Sequence, residues 1–236
     1  MSKRTYLLLI VSGLLIAIAI TLSSLYSASH YVPAFYRQAI SVDPQKQEAA
    51  SDRMLQQASA LNGAFKKKGD WEALFTAEQI NGWLAVDMVK NHANALPPTL
   101  RNPRVAIGPK QVTVACLVEL NHYWSVVSLT VEPYIPEPNV LALRIVRARA
   151  GLLPVPLREI LDRLTQAAQQ LQLHIEWRQA GGDPVAMLSL PADREEESRR
   201  VRVDTLRLGE GEIYLSGTTL EGAADNSRGR TRSSGQ

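Results

Sequence analysis

Cysteine is almost missing from this chain: Cys116 is the single one in 236 residues. No intramolecular disulfide can form, and no cysteine-based metal cage can be built. The thiol sits in Val114-Ala115-Cys116-Leu117-Val118, so it reads as a small buried hydrophobe of a strand rather than a reactive group. Histidine is also scarce. His30, His92, His122 and His174 lie far apart in sequence, and no H-E-x-x-H or paired-carboxylate motif accompanies them, which removes the usual metal-ligand spacings. There is no G-x-S-x-G elbow and no glycine-rich loop with phosphate spacing. Gly209-Glu210-Gly211-Glu212 lies between two strand-like runs and reads as a hairpin turn. The charge excess is small as well, +3 with dispersed Lys and Arg, where a nucleic-acid binder would show a basic stripe. These absences point to a non-enzymatic protein with no cofactor, no metal and no nucleic-acid partner.

One place lacks charge altogether. From Tyr6 to Leu25 no charged residue occurs, and twenty residues at 1.5 Å rise span about 30 Å, the thickness of a bilayer's hydrocarbon core. Lys3 and Arg4 precede the run, and the next charge is Arg37. The positive-inside bias therefore puts the N-terminus in the cytoplasm and the rest outside, periplasmic or extracellular. A cleavable signal peptide is the competing reading. Ser27-Ala28-Ser29 offers a small-x-small site, against which stand the length of the apolar run and bulky Tyr26. Tyr31, Phe35 and Tyr36 follow where the span ends, a placement that suits the headgroup region.

The remaining chain, 45% hydrophobic overall, is long enough for one domain with its own core. Asp43-Pro44 reads as an N-cap with proline at the first helical position, opening a helix to about Lys67 with Ala50, Met54, Ala58, Leu61 and Phe65 on one stripe. Thr76 with Gln79 forms a capping box, and Phe75 with Ile80 a hydrophobic staple. Ile80, Trp83, Leu84 and Met88 then fall at helical spacing. Asp87, which interrupts the stripe, is expected to reach solvent, and His92 lies near the helix end. Pro97-Pro98 marks the stop.

Beyond this the period changes to two. Val112, Val114, Cys116, Val118 and Leu120 alternate with other residues, as do Val127, Leu129 and Val131, and Leu141, Leu143 and Ile145. Turn signals stand at Gly108-Pro109, Asn121-His122 and Pro136 to Asn139, which together describe an antiparallel meander with one apolar face. A third helix follows Gly151 to Pro156, with Ile160, Leu161, Leu164, Ala168 and Leu171 inward. Leu173 to Trp177 and Ala186 to Leu190 flank Gly181-Gly182 as a hairpin, with His174, Glu176 and Arg178 outward. After a charged stretch, Ala192 to Arg200, strands are expected over Val201 to Leu208 and Glu212 to Leu220. The last residues, small and polar, are expected to be disordered.

The predicted architecture is α+β: an N-terminal transmembrane helix, then a curved antiparallel sheet of about seven strands packed against amphipathic helices. Its segments are 1–5 cytoplasmic, 6–25 transmembrane, 26–70 juxtamembrane linker and helix, 71–220 the extracytoplasmic domain, and 221–236 the tail. A slot between sheet and helix, lined by Ile80, Trp83, Leu84, Met88, Leu129, Leu143 and Leu164, would suit lipid or another apolar ligand. A filled interior would instead mark an envelope interaction or scaffold module.

Three stretches carry a family resemblance: Phe75 to Leu84 at the capped helix, Pro103-Arg104-Val105-Ala106-Ile107, and Ala150 to Pro156 before the third helix. In matching order over roughly residues 72 to 190, together with the anchor, they resemble the YpmS-like family of bacterial proteins with one N-terminal span and an extracytoplasmic domain. The family is similar in pattern to tubular lipid-binding domains, so the resemblance implies a groove for lipid and no catalytic residues. The longer juxtamembrane helix and the extra C-terminal hairpin depart from that pattern.

Overall fold

The computed structural model describes residues 3–92, 96, 99–120, 123–170, 175–190, 193–194 and 199–221. The expectations for Pro97-Pro98, Asn121, His122, Leu171, Leu173, His174 and 222–236 fall outside these residues.

The chain begins with α1 (Lys3–Ser29), whose sequence is apolar on all sides. Leu14, Leu15, Ile16, Ile20 and Leu22 are each at least 60% exposed, so this helix stands clear of the domain. Among the described residues no single helix is long and apolar enough to cross a membrane; Leu14–Ser29 and Ala34–Ile40, bent by 45° to each other, pass that test together. Pro33 starts α2 (Ala34–Ile40). Asp43 accepts from the Gln45 N–H and Pro44 occupies the first position of α3 (Pro44–Phe65), where a missing N–H costs nothing.

Next comes β1 (Gly69–Thr76), a strand not expected from the sequence. Its signal was the alternation of buried Trp71, Ala73 and Phe75 with exposed Asp70 and Glu72. It runs straight into α4 (Ala77–Ala85), where the capping box forms as expected. The Gln79 N–H donates to Thr76 Oγ1 at 3.2 Å, and the Thr76 N–H donates to Gln79 Oε1 at 2.8 Å. The helix then breaks at Val86, and a short α5 (Asp87–Asn91) follows. Asp87 does not reach out to solvent. Its carboxylate, 13% exposed, accepts from Asn91 Nδ2 and lies 3.7 Å from His92, which ties α5 to its own C-terminal end.

The strands β2 (Leu100–Ile107), β3 (Val112–Leu120), β4 (Tyr123–Glu137), β5 (Val140–Ala150), β6 (Leu153–Pro154), β7 (Ile175–Ala180) and β8 (Asp183–Ser189) form one antiparallel sheet in the order β2-β3-β4-β5-β8-β7, with β6 paired to β5. Helix α6 (Leu157–Gln170) connects β6 to β7. The C-terminal strands do not extend this sheet, as a single-sheet reading required. Instead β9 (Asp193–Arg194), β10 (Arg199–Gly209) and β11 (Glu212–Glu221) join β1 in a second sheet ordered β1-β11-β10-β9. Glu221 therefore belongs to a strand, opposite Arg199, and not to the tail.

Asparagine side chains brace the two sheets. Asn81 on α4 donates to the Val105 carbonyl at 2.9 Å and accepts from the Val105 N–H at 2.8 Å, closing the open edge of β2. Asn139, in the β4–β5 turn at φ 62, does the same to β10, accepting from the Val203 N–H and donating to the Val201 carbonyl. Each satisfies strand groups that have no neighbouring strand there.

Residues 26–70 are not a spacer. Tyr36 is buried with Ala115 and Val126, and Val32, Phe35 and Leu117 pack on that cluster. Its hydroxyl donates to the Asn102 carbonyl at 2.9 Å. Burial raises the Tyr36 pKa and lowers that of the neighbouring Arg104, while each of the two groups partly offsets the other's shift. Helix α3 crosses α4 closely at Gly82. A Cβ there would lie 2.6 Å from Ala50 Cβ and 2.7 Å from the Ser51 nitrogen. Gly82→Ala should therefore destabilise the protein by about 1–3 kcal/mol through overpacking, against the roughly 1 kcal/mol that helix propensity alone would gain. Gly63→Ala, in the same helix pair but with no atom within 4 Å, should stabilise it by about 0.5–1 kcal/mol. Denaturant midpoints decide this; two variants shifting in the same direction would refute the close crossing.

Candidate functional site

Residues opposite each other in an antiparallel pair share a face, and the face alternates along each strand. Tracing the register from Val114↔Leu129 and Leu129↔Ala148 through Pro133↔Leu143 and Leu143↔Ala186 to Ala186↔Trp177 gives one face of the large sheet. On it lie Val105, Val112, Val114, Cys116, Val127, Leu129, Val131, Leu141, Leu143, Leu188 and Trp177. This is the apolar face expected from the sequence, extended over six strands.

What covers it differs from expectation. Helix α2 lies on the opposite face, over Ala115, Leu117 and Val126, where short side chains let a helix approach. Helix α6 is attached to the apolar face, since Trp177 Nε1 donates to Thr165 Oγ1 at 2.9 Å. Ile107, Val118, Ser125, Ile145, Ala148 and Ala186 on this face are buried, but Val112, Cys116, Val127, Leu129, Val131, Leu141 and Leu143 are only half-buried, and Val114 is 39% exposed. The face is thus buried at some positions and half-exposed between them, which leaves a shallow apolar trough.

Leu129 and Leu143 lie on the trough floor, and half-buried Leu164 is on α6 beside Thr165. Ile80, Trp83, Leu84 and Met88 stand on α4 and α5, held at the β2 edge by Asn81. Met88 is buried, the other three are half-buried, and the Trp83 ring lies 5.9 Å from that of His92. The helix residues and the floor residues thus sit on different elements flanking the sheet. None of the seven lines the cleft of about 400 Å³ that opens between α2, α3, α4, β2 and the β10–β11 turn. That cleft has Phe35, Ala39, Val42, Ala77 and Val105 in its walls, with Lys46, Glu78 and Glu210. Glu78 is engaged by Arg53 at 2.8 Å. Sequence reasoning missed it because its walls come from elements far apart in the chain; the small residue at Gly82, which brings α3 close, is the trace it left.

Little on this surface can do covalent chemistry. Burial pushes the Cys116 thiol up to about 11, so it is protonated at neutral pH and a poor nucleophile. Hydrogen bonds from Gln111 and Arg144 hold the Glu132 carboxyl below its usual range, which fixes it as an ion-pair acceptor. Among the described residues no three His, Cys, Asp or Glu side chains gather as a metal site would need. Glu176 and Arg178 pair with each other on the outward face.

The foot of α1 is the other constructed feature. The helix ends with unsatisfied carbonyls, and the domain supplies their donors: the Leu152 N–H reaches the Ala28 carbonyl at 2.9 Å, and Ser125 Oγ reaches the Ser29 carbonyl at 2.7 Å. Gly151, at φ +60, makes this approach possible. A Cβ there would lie 2.3 Å from the Ala28 oxygen. The direction in which α1 leaves the domain is therefore set by hydrogen bonds, not by a free linker.

Comparison with protein-family models, with characterised proteins and with solved structures finds no match.

Proposed function

We propose that this chain is a non-enzymatic, membrane-anchored protein of the cell envelope that holds an acyl chain or similar apolar ligand on its open sheet face. The observation that carries the reading is the trough. An extended apolar face left half-exposed costs free energy in water, at roughly 25 cal/mol per Å², and in solution such a face marks an interaction site. The anchor supplies the ligand's source. The charge-free run Tyr6 to Leu25 lies within a helix that stands away from the domain, with Lys3 and Arg4 before it, which favours a cytoplasmic N-terminus and an outside domain. The YpmS-like resemblance favours the same arrangement. A protein partner covering the trough is the competing reading.

Lipid bound to the full-length protein, purified in detergent and examined by native mass spectrometry, separates the two. Co-purifying lipid is expected, together with uptake of a fluorescent fatty acid. Val114→Asp places a carboxylate where the wild-type side chain is already 39% exposed, so the fold should survive while fatty-acid affinity falls at least about tenfold, since the charge loses hydration against apolar walls. Lipid-free protein that takes up no fatty acid would refute the ligand reading. A reporter fused after Gln236 should be active only outside the cytoplasm.

A further inference from the structure

The strand register gathers one more group of residues. Arg101↔Leu117, Glu119↔Trp124, Val127↔Ala150 and Arg149↔Pro154 place the start of β2, the end of β3, the start of β4 and the end of β5 at the same end of the large sheet. The foot of α1 is bound there, through Ser125 and Leu152. The Arg101 guanidinium lies 4.6 Å above the centre of the Trp124 ring. Arg101 is exposed and Arg149 half-buried, and among the described residues neither is ion-paired. Glu119, exposed and opposite Trp124, is the carboxylate nearest in register and engages neither arginine. Around the foot, Leu152 is 47%, Tyr31 41% and Tyr26 67% exposed. Aromatic rings with a polar edge and arginines with long apolar stems are the side chains that settle at the headgroup level of a bilayer.

We propose that this end of the sheet rests directly on the bilayer surface from which α1 emerges. Trp124, Tyr31 and Leu152 enter the headgroup layer, and Arg101 and Arg149 contact anionic phosphodiester headgroups. The inference rests on the anchoring proposed above and adds an orientation to it. The strands then run away from the bilayer, and the apolar face begins at its surface, beside Cys116, Val127 and Ala150. The clamped foot makes this one orientation rather than a tumbling domain on a tether.

The test uses the full chain in nanodiscs of phosphatidylcholine, with and without phosphatidylglycerol, containing lipid brominated on the upper acyl chain as a quencher. The emission of Trp124 is the wild-type signal minus that of Trp124→Phe. Quenching by brominated lipid is expected, and it should be stronger with phosphatidylglycerol. Each of Arg101→Gln and Arg149→Gln should lower the docked-to-undocked ratio about fivefold, the factor for one basic side chain near an anionic surface. Raising ionic strength should produce the same loss without any substitution. Protein that alkaline carbonate extracts from its native membrane would overturn the anchoring, and this inference with it. Protein that resists extraction but shows no Trp124 quenching, or equal quenching in both lipids, would overturn the headgroup contact alone.

Discussion

Gly217→Ala should be the most damaging small substitution in the protein. Gly217 lies in β11, the strand between β1 and β10, opposite Trp71 on one side and Val203 on the other. A Cβ there would fall 1.9 Å from the Arg202 carbonyl oxygen and 2.5 Å from the Trp71 ring. Glycine within a strand normally weakens it; here the position is occupied from both sides. The register of β10 shifts between Val203 and Thr205, next to the crowded Arg202 carbonyl, and the buried Trp71 indole lies over the glycine and meets Phe65 edge-on at 4.8 Å. A methyl group must push away either the β10 backbone or the buried indole. The expected cost is about 3 kcal/mol or more, at the upper end for overpacking, which lowers Tm by roughly 6–12 °C for a protein of this size. Leu220→Ala on the same strand, at a side chain 42% exposed, should change stability by only about 0.5 kcal/mol. Thermal unfolding of the two variants side by side is the check, and equal Tm values would show that the sheet relaxes around the added carbon.

Gly151→Ala should release the first helix from the domain. Two penalties act together. The left-handed backbone at φ +60 costs a non-glycine residue about 1–2 kcal/mol, and the new Cβ would meet the Ala28 and Ser29 carbonyl oxygens at 2.3 and 2.7 Å. Those are the carbonyls that Leu152 and Ser125 satisfy, so the substitution strikes the clamp itself. Gly181→Ala isolates the first penalty, because Gly181 has φ +62 and no atom within 4 Å. Amide exchange at Leu152 should speed up on the order of a hundredfold in the Gly151 variant and stay unchanged in the Gly181 variant. If the domain seats on the bilayer through its clamped foot, Trp124 quenching should fall in Gly151→Ala as well. Unchanged exchange at Leu152 would mean that the foot is held by contacts other than these.

The features readable from the sequence are those that neighbouring residues decide among themselves. The Asp43-Pro44 start, the Thr76–Gln79 box and the Gly181-Gly182 and Gly209 to Gly211 turns each depend on a few consecutive side chains, and each is where the spacing placed it. The period-two runs from Val112 to Ile145 likewise fixed the strands and their apolar side. Strand β1 was missed because only three alternating apolar residues mark it and Phe75 also fits the helix that follows. The break at Val86 left no proline or glycine to read.

The sequence by itself determined the α+β composition, the helix starts, the single apolar face of the meander and the charge-free N-terminal run, because all of these follow from local backbone preference and residue periodicity. Only the tertiary structure decided that β1 leaves its neighbours to pair with β11, that α2 covers the face opposite the apolar one, and that the trough stays half-open. It also decided that α1 is clamped at Gly151. Pairing and covering join groups far apart in the chain, such as Ala28 with Leu152, Asn81 with Val105 and Trp71 with Gly217. Which of many chemically equivalent strand edges and apolar faces meet depends on how the whole chain packs, a choice that no local pattern encodes.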